Sequence, residues 1–352
     1  MRERIKRLQE FLVQEKLDGL VITSLTNIRY LCGFTGSNAA LLVTLERAIF
    51  YTDFRYKEQM KGEVKGCQKK VLERDLYASF PVEDLKGVRR LGVEESHISL
   101  SRFRLLRSQL KGVKLIPTRD LVMELRRRKS PVELALIKKA QRITENTFAK
   151  VLNLISPGVR EKDLALEIEF QFRKVGEPAF PPIVASGENG AKPHARAGFR
   201  RIKKGDRITF DIGCRLEGYA ADMTRTVFLG KPDEEWRKVY EAVLLAQERA
   251  IETIKPGVLC KEVDRVARDI LEQVGLAKFF GHSLGHGVGL DVHEQPTLAK
   301  NSSQMLAQGD VVTVEPGVYL PGKGGVRIED MVVVTEDGYL NLTKAPKRLL
   351  VL

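Results

Sequence analysis

Cysteine is scarce in this sequence, and the four present, Cys32, Cys67, Cys214 and Cys260, show no paired spacing. That excludes a disulfide framework and a zinc ribbon, and makes a reducing cytoplasm the expected location. No apolar run approaches the length of a membrane span, so no membrane partner is expected. The opening residues, MRERIKRLQEFLVQEKLDG, are too charged for a secretory signal and read as an amphipathic helix. Acid is in the minority: 46 Asp and Glu face 59 Lys and Arg, a net charge of +13. Such an excess can serve a nucleic-acid or acidic-membrane partner. Here the bases are spread along helices, and the one dense run, Arg126, Arg127, Arg128 and Lys129, falls at an expected domain junction. A solvated surface is the simpler reading, and nucleic acid is not expected as a partner.

At 352 residues the chain is long for a single core, and two domains are expected. Residues 1–125 alternate short strands and helices, with residues 20–24, 39–44 and 48–51 as strands and 27–37 as a loop. This is an α/β domain. It holds one histidine, His97, and no acid cluster with metal-ligand spacing. Residues 126–130 form a linker. Ser130-Pro131-Val132-Glu133 then reads as a capping box opening a new helix, and residues 131–352 form the second domain.

That second domain repeats itself. Residues 155–176 match 254–275 without gaps at an offset of 99 residues. The same offset carries His194 onto His293, and after short insertions Gly205-Asp206 falls on Gly309-Asp310, Asp211 on Glu315 and Asp222 on Glu329. Two copies of a helix–turn–helix–loop–hairpin unit argue against a solenoid. They suit a pseudo-twofold domain in which two hairpins join one curved antiparallel sheet with helices outside. Strand alternation puts each acid on the face opposite its apolar neighbours, as in Ile208-Thr209-Phe210-Asp211-Ile212. Asp211 and Asp222 are symmetric about Leu216-Glu217 and should face one another. Glu315 and Glu329 are symmetric about Gly322, and a bulge or asymmetric loop is expected there.

Four carboxylates converging on one face repel unless a cation lies among them. Four of the five histidines, His194, His282, His286 and His293, fall in this domain. A hard, oxygen-rich set with at least one imidazole suits Mn²⁺ or Co²⁺ better than a thiolate-seeking metal. Such a set can hold two ions with a shared water. The alternative reading, a solvated polar sheet face, does not account for acids recurring at equivalent places in both repeats.

In order along the chain, FDIG, ADMTRT, GHSLGHGVG, DVHE, VEPG and GVRIED resemble the motifs of the pita-bread metallopeptidases, the family of methionine aminopeptidase, aminopeptidase P and prolidase. The resemblance covers residues 131–352. NIRYLCGFTGS and YTDFRYKEQ resemble the creatinase/prolidase-type N-terminal domain of the aminopeptidase P and prolidase branch. The resemblance implies five metal ligands, Asp211, Asp222, His286, Glu315 and Glu329, with Asp222 and Glu329 bridging two divalent ions, Mn²⁺ first and Co²⁺ or Zn²⁺ as alternatives. It also implies substrate-facing roles for His194, His282 and His293, a site arginine in Arg327, and a homodimer. The implied reaction is hydrolysis of an Xaa–Pro bond in proline-containing peptides by a metal-bridged hydroxide, with Glu315 as proton shuttle. Some prolidases place an arginine just beyond the DVHE histidine, whereas this chain has Gln295-Pro296-Thr297. The expectation is therefore an Xaa-Pro aminopeptidase, with an Xaa-Pro dipeptidase as the alternative and a non-catalytic peptide- or nucleic-acid-binding member of the fold as a third reading.

Overall fold

Apolar runs in the first part of the chain become strands β1 (Gly19–Ile22), β2 (Ala39–Thr44), β3 (Ala48–Asp53), β4 (Gln68–Leu72), β5 (Arg90–Glu94) and β6 (Lys114–Thr118) of a computed structural model. The structure describes every residue except Arg74, Ser79 and Asp120. The strands form one sheet in the order β4-β3-β2-β1-β5-β6. β1, β2 and β3 pair antiparallel, while β3–β4, β1–β5 and β5–β6 are parallel. Every residue of β1 and β2 is buried, as a central strand covered on both faces requires. Helices α1 (Arg2–Gln14), α2 (Leu25–Cys32), α3 (Lys57–Glu63) and α4 (Leu100–Gln109) complete this unit, and the division from the second unit falls within α5 (Leu121–Arg127), between Arg126 and Arg127. Among the described residues no helix is long and apolar enough to cross a membrane.

Residues 27–37 are not the loop their composition suggests. Ser24 caps α2 by accepting the Asn27 N–H, and the buried Glu94 carboxylate accepts the Thr23 and Ser24 N–H groups at 2.7 and 2.8 Å. A distant strand thus holds the strand-to-helix turn, which local turn propensity cannot report. The turn residues begin only at Gly33, whose φ of 91° ends the helix.

In the second unit, α6 (Pro131–Leu152) opens on the capping box: Ser130 Oγ accepts the Glu133 N–H, and the Glu133 carboxylate accepts the Ser130 N–H at 2.9 Å. Such a cap is worth about 1 kcal/mol. α7 (Glu161–Arg173), α8 (Glu234–Glu252) and α9 (Cys260–Gln273) follow, giving one helix pair per repeat. The duplication extends to individual hydrogen bonds. Gly158 N–H donates to Ile202 O and Gly257 N–H to Leu306 O, both at 2.8 Å. Asp206 and Asp310, the aspartates of the two Gly-Asp pairs, accept the Lys203 and Ala307 N–H groups, both at 2.8 Å. Gly-Asp is a turn device in both halves.

The strands of this unit are β7 (Glu177–Pro178), β8 (Ile183–Ser186), β9 (Arg207–Ile212), β10 (Cys214–Leu216), β11 (Tyr219–Ala220), β12 (Met223–Phe228), β13 (Gly285–Gly287), β14 (Glu294–Leu298), β15 (Val311–Val314), β16 (Gly317–Leu320), β17 (Gly324–Arg327), β18 (Asp330–Val334), β19 (Tyr339–Asn341) and β20 (Leu350–Val351). They form ladders β20-β12-β9-β8, β14-β13-β15-β18-β19, β11-β10-β7 and β16-β17. The two halves are stitched where Glu329 N–H donates to Thr224 O at 3.1 Å and Arg327 N–H to Thr226 Oγ1 at 3.2 Å. Ile208, Phe210 and Ile212 pack with Phe148, Leu164, Ile168 and Phe172 of α6 and α7. Val312, Val314, Val326 and Ile328 pack with residues of α8 and α9. Each such buried side chain contributes about 1.5–3 kcal/mol. Because alternation is strict, anchoring the apolar face on the outer helices turns the acidic face away from them.

Two registers differ from expectation. β9 pairs with β12 so that Asp211 faces Thr224, and β10 with β11 so that Leu216 faces Tyr219. The turn is therefore Glu217-Gly218, with φ of 48° and 89°, a left-handed pair that sets the centre of symmetry one step later than sequence symmetry placed it. Asp222 is a diagonal neighbour of Asp211, not its direct partner. In the second hairpin Leu320 faces Gly324, so the loop is Pro321-Gly322-Lys323 and is symmetric about Gly322. No bulge is needed, because Gly324 and Gly325 belong to β17.

The basic run is not a solvated patch. Arg126 and Arg127 are buried. Arg126 donates to Asn27 at 2.7 Å, and Arg127 makes a two-pronged pair with Asp310 at 2.8 and 2.7 Å. Lys129 pairs with Glu294 at 3.1 Å, both side chains excluded from solvent. Burying acids such as Asp310 and Glu294 demands these counter-charges. A run of like charges in sequence does not show that two of its members, Arg127 and Lys129, are assigned to different acids.

Candidate metal centre

Each candidate ligand sits at a strand end or break. Asp211 is on β9, Asp222 immediately precedes β12, His286 is on β13, Glu315 follows β15, and Glu329 lies between β17 and β18. Asp222, His286 and Glu329 each offer a ligand atom within 4.8 Å of the others. Glu315 joins them through His286, its Oε1 lying 3.3 Å from Nε2, while Asp222 Oδ2 is 3.8 Å from the same nitrogen. Asp211 is turned differently: its Oδ2 accepts from Arg327 Nη2 at 2.6 Å. The structure thus brings four of the five candidates into one cluster and holds the fifth beside it on an arginine.

The electrostatics are those of a site built for a cation. Burial, and then the charges of Glu329, Asp211 and Glu315, push Asp222 well above the ordinary carboxylate range. Burial followed by Glu315 and Asp211 does the same to Glu329. Burial also raises Asp211, against the pull of Arg327. Burial alone would raise Glu315, but the His286 hydrogen bond and charge bring it below its usual value. For His286, burial opposes the charge, yet the Glu315 hydrogen bond and charge carry it above its ordinary value. One carboxylate oxygen, Glu329 Oε1, is buried with no hydrogen-bond partner. A buried, unpartnered carboxylate oxygen is costly, and a divalent ion satisfies it. The imidazole fits as well: His286 Nδ1 is bonded to Gly287 O at 3.1 Å, so Nδ1 carries the proton and Nε2 faces the acids, the arrangement that a ligating histidine adopts.

The remaining candidates separate into two groups. His194 and His293 are exposed, and the His293 ring lies 4.2 Å from that of His286. Burial lowers His293, with the His286 charge adding to the effect. His282, which sequence grouped with them, has both ring nitrogens engaged inside the protein: Nδ1 with Ser283 O at 2.8 Å and Nε2 with Tyr319 Oη at 2.9 Å. Its loop is held from α9, where buried Asp264 accepts the Leu284 N–H at 3.1 Å and pairs with Arg268, whose Nη2 donates to His282 O at 2.6 Å. Glu294, the acid of DVHE, accepts the Asp291 N–H at 3.0 Å and pairs with Lys129. It shapes the loop and does not enter the cluster.

Arg327 is buried and makes four kinds of contact. It donates to Asp211, to Tyr319 Oη at 2.8 Å, to Thr224 Oγ1 at 3.1 Å and to Pro193 O at 3.4 Å. Thr224 Oγ1 in turn donates to Glu329 Oε2 at 2.7 Å. Tyr319 and Thr224 escaped the sequence reading. A signal for Tyr319 was present, since Glu315, Gly317 and Tyr319 share one face by alternation. Gly317 and Gly325 leave room for the ring: a Cβ at Gly317 would collide with its hydroxyl, and one at Gly325 would lie 2.9 Å from the ring. Because the guanidinium fork serves several acceptors at once, Arg327→Lys is expected to cost roughly 2–4 kcal/mol of stability despite keeping the charge. Chemical denaturation compared with wild type checks this, and an unchanged midpoint would show that Asp211 does not depend on the fork.

Metallopeptidase family M24 matches residues 135–336, and the creatinase/prolidase N-terminal domain matches residues 4–128. An Xaa-Pro dipeptidase of Pyrococcus furiosus is 37% identical over 99% of this chain and 100% of its own length. The solved structure of an Xaa-Pro dipeptidase from Bacillus anthracis superposes with a TM-score of 0.96 at 38% identity, covering 99% of both chains. That of an X-Pro aminopeptidase from Thermotoga maritima gives 0.88 at 38% identity, covering 98% of this chain and 99% of the other.

Proposed function

Since the chain belongs to metallopeptidase family M24 and is a metallo-exopeptidase, we propose that it is an Xaa-Pro dipeptidase, hydrolysing the bond before proline in dipeptides. The observation that carries this reading is whole-length similarity to proteins described as Xaa-Pro dipeptidases, in sequence and in fold. It replaces the aminopeptidase expected from sequence, which leaned on the missing arginine at Gln295-Pro296-Thr297. One residue near a substrate carboxylate is weaker grounds than agreement along the whole chain. The aminopeptidase remains the second reading, favoured by the similarity to the Thermotoga maritima structure.

In this reading Asp211, Asp222, His286, Glu315 and Glu329 hold two divalent ions, and the hard donor set suits Mn²⁺. Once bound, the ions supply Lewis acidity and a water of lowered pKa. The protein's own groups do the rest. Glu315, kept ionised by His286, takes the proton of the attacking water and passes it to the leaving proline nitrogen. That nitrogen belongs to a tertiary amide without an N–H, so recognition cannot use that donor. The exposed His194 and His293 face the substrate and donate to the carbonyl oxygen as it becomes negative. His282 and Tyr319 support Arg327, which orients Asp211.

Hydrolysis of Ala-Pro and Ala-Pro-Pro by Mn²⁺-loaded protein, followed by chromatography with a chelator control, tests the proposal. The dipeptide should be preferred by roughly tenfold or more in kcat/KM. Preferential release of alanine from the tripeptide would instead establish the aminopeptidase.

A further inference from the structure

The loop that carries His194 is gripped by a buried acid that no sequence motif singles out. Glu161, the first residue of α7, is fully buried. Its Oε1 accepts the Ser186 N–H and Oγ–H, both at 2.7 Å, and an Asn189 Nδ2–H at 3.2 Å. Its Oε2 accepts from Asn189 Nδ2 at 3.1 Å and from the Gly198 N–H at 3.3 Å. One carboxylate therefore ties together the start, the first turn and the end of the segment 186–198. His194 lies within that span, beside Pro193, whose carbonyl oxygen accepts from Arg327 at 3.4 Å. The segment is fixed at its ends from the outer helix and at its middle by Arg327.

The two repeats show what this carboxylate adds. At the 99-residue offset Glu161 corresponds to Cys260. The backbone is alike at both places: Glu161 N–H donates to Arg200 O at 3.1 Å and Cys260 N–H to Gln304 O at 2.8 Å. Helix entry itself therefore does not need the acid. In the second repeat a different acid, Asp264 with Arg268, reaches from α9 to the loop bearing His282. Each half thus has a buried carboxylate on its second helix that reaches a histidine-bearing stretch, but the two stretches are not equivalent, since at the 99-residue offset His282 corresponds to Ile183 and His194 to His293.

We propose that Glu161 is a positioning residue for the peptidase reaction, acting through His194. This rests on the substrate-facing role given to His194 above. Both oxygens of Glu161 accept from donors, so an isosteric glutamine turns an N–H against a donor on one side while keeping the volume. The brace loosens without opening a cavity. Displacement of a transition-state donor by about 1 Å can cost up to 10²-fold in rate.

The experiment uses the full-length, Mn²⁺-loaded protein with Ala-Pro. Glu161→Gln should lower kcat about tenfold with KM changed by less than about threefold. The thermal midpoint should fall by no more than about 5–10 °C, as one buried donor facing another requires, with the protein folded at the assay temperature and Mn²⁺ affinity by calorimetry near wild type. Combined with His194→Ala, Glu161→Gln should add less than about a twofold loss, because both changes remove one function. Asn189→Ala, which leaves Glu161 in place, should give a smaller loss that also vanishes in the His194→Ala background, and it carries the test if Glu161→Gln fails to fold. Losses that multiply in the double variant overturn the proposal but leave the role of His194 standing. A His194→Ala protein as active as wild type overturns both.

Discussion

Glu315→Gln is expected to lower kcat by about 10³-fold, within the 10²–10⁴ range of a general acid–base group. The substitution preserves shape but removes the proton acceptor. Glu315 is the one acid of the cluster pushed below its ordinary pKa, because His286 at 3.3 Å outweighs burial. It is therefore ionised near neutrality, as a base must be, while Asp222 and Glu329 are pushed upward. Steady-state kinetics on Ala-Pro measure the loss, and calorimetric Mn²⁺ titration separates it from lost metal. Turnover within a few-fold of wild type, with metal bound, would remove Glu315 from the proton path.

Stripping divalent metal with a chelator is expected to lower the melting temperature by roughly 5–10 °C relative to protein in metal at about 100 times its Kd. The gap should widen with pH. Asp222 and Glu329 have folded-state pKa values raised by burial first, and then by neighbouring carboxylates, Glu329 foremost for Asp222 and Glu315 foremost for Glu329. A raised carboxyl contributes stability that is complete below its unfolded value, near pH 4, and is lost as pH rises through the folded value. Metal-free protein therefore weakens as the cluster ionises, whereas a bound cation pairs those charges. Metal uptake should also release protons from His286 and the raised acids, so affinity should climb with pH. Melting curves with and without Mn²⁺ from about pH 4.5 upward to about pH 8 check the first point, and calorimetry in buffers of different ionisation enthalpy checks the second. A gap that is constant or shrinks with rising pH would mean that the acids are not the source of metal-dependent stability.

The duplication and the capping box at Ser130 were legible in the chain, as was the nearness of Asp222, Glu315 and Glu329 to one another. They are local patterns repeated at a fixed offset, and alternation has only two phases. The turn at Glu217-Gly218 was misplaced by one step because sequence symmetry cannot see which residue takes a left-handed φ. α2 was missed because its entry is held by Glu94, about 70 residues away. The charge run ending at Lys129 does fall at the division between the two units, but the partners of Arg127 and Lys129, Asp310 and Glu294, were out of reach for the same reason, since they lie far along the chain.

What the sequence determined by itself is which residues are available to the site and which face of each strand they occupy, because backbone geometry makes alternation obligatory. Tertiary structure decided how each is used. Packing of the two halves brings Arg327 onto Asp211, while folding within the second half engages both nitrogens of His282, seats Tyr319 beside Gly317 and Gly325 and leaves Glu329 Oε1 without a hydrogen-bond partner. The pairing of Arg327 with Asp211 joins residues 116 positions apart, and that of His282 with Tyr319 joins residues 37 apart, separations that local pattern does not report. In a buried site, a difference of one ångström between charges decides whether a carboxylate is paired, protonated or ready to take a cation.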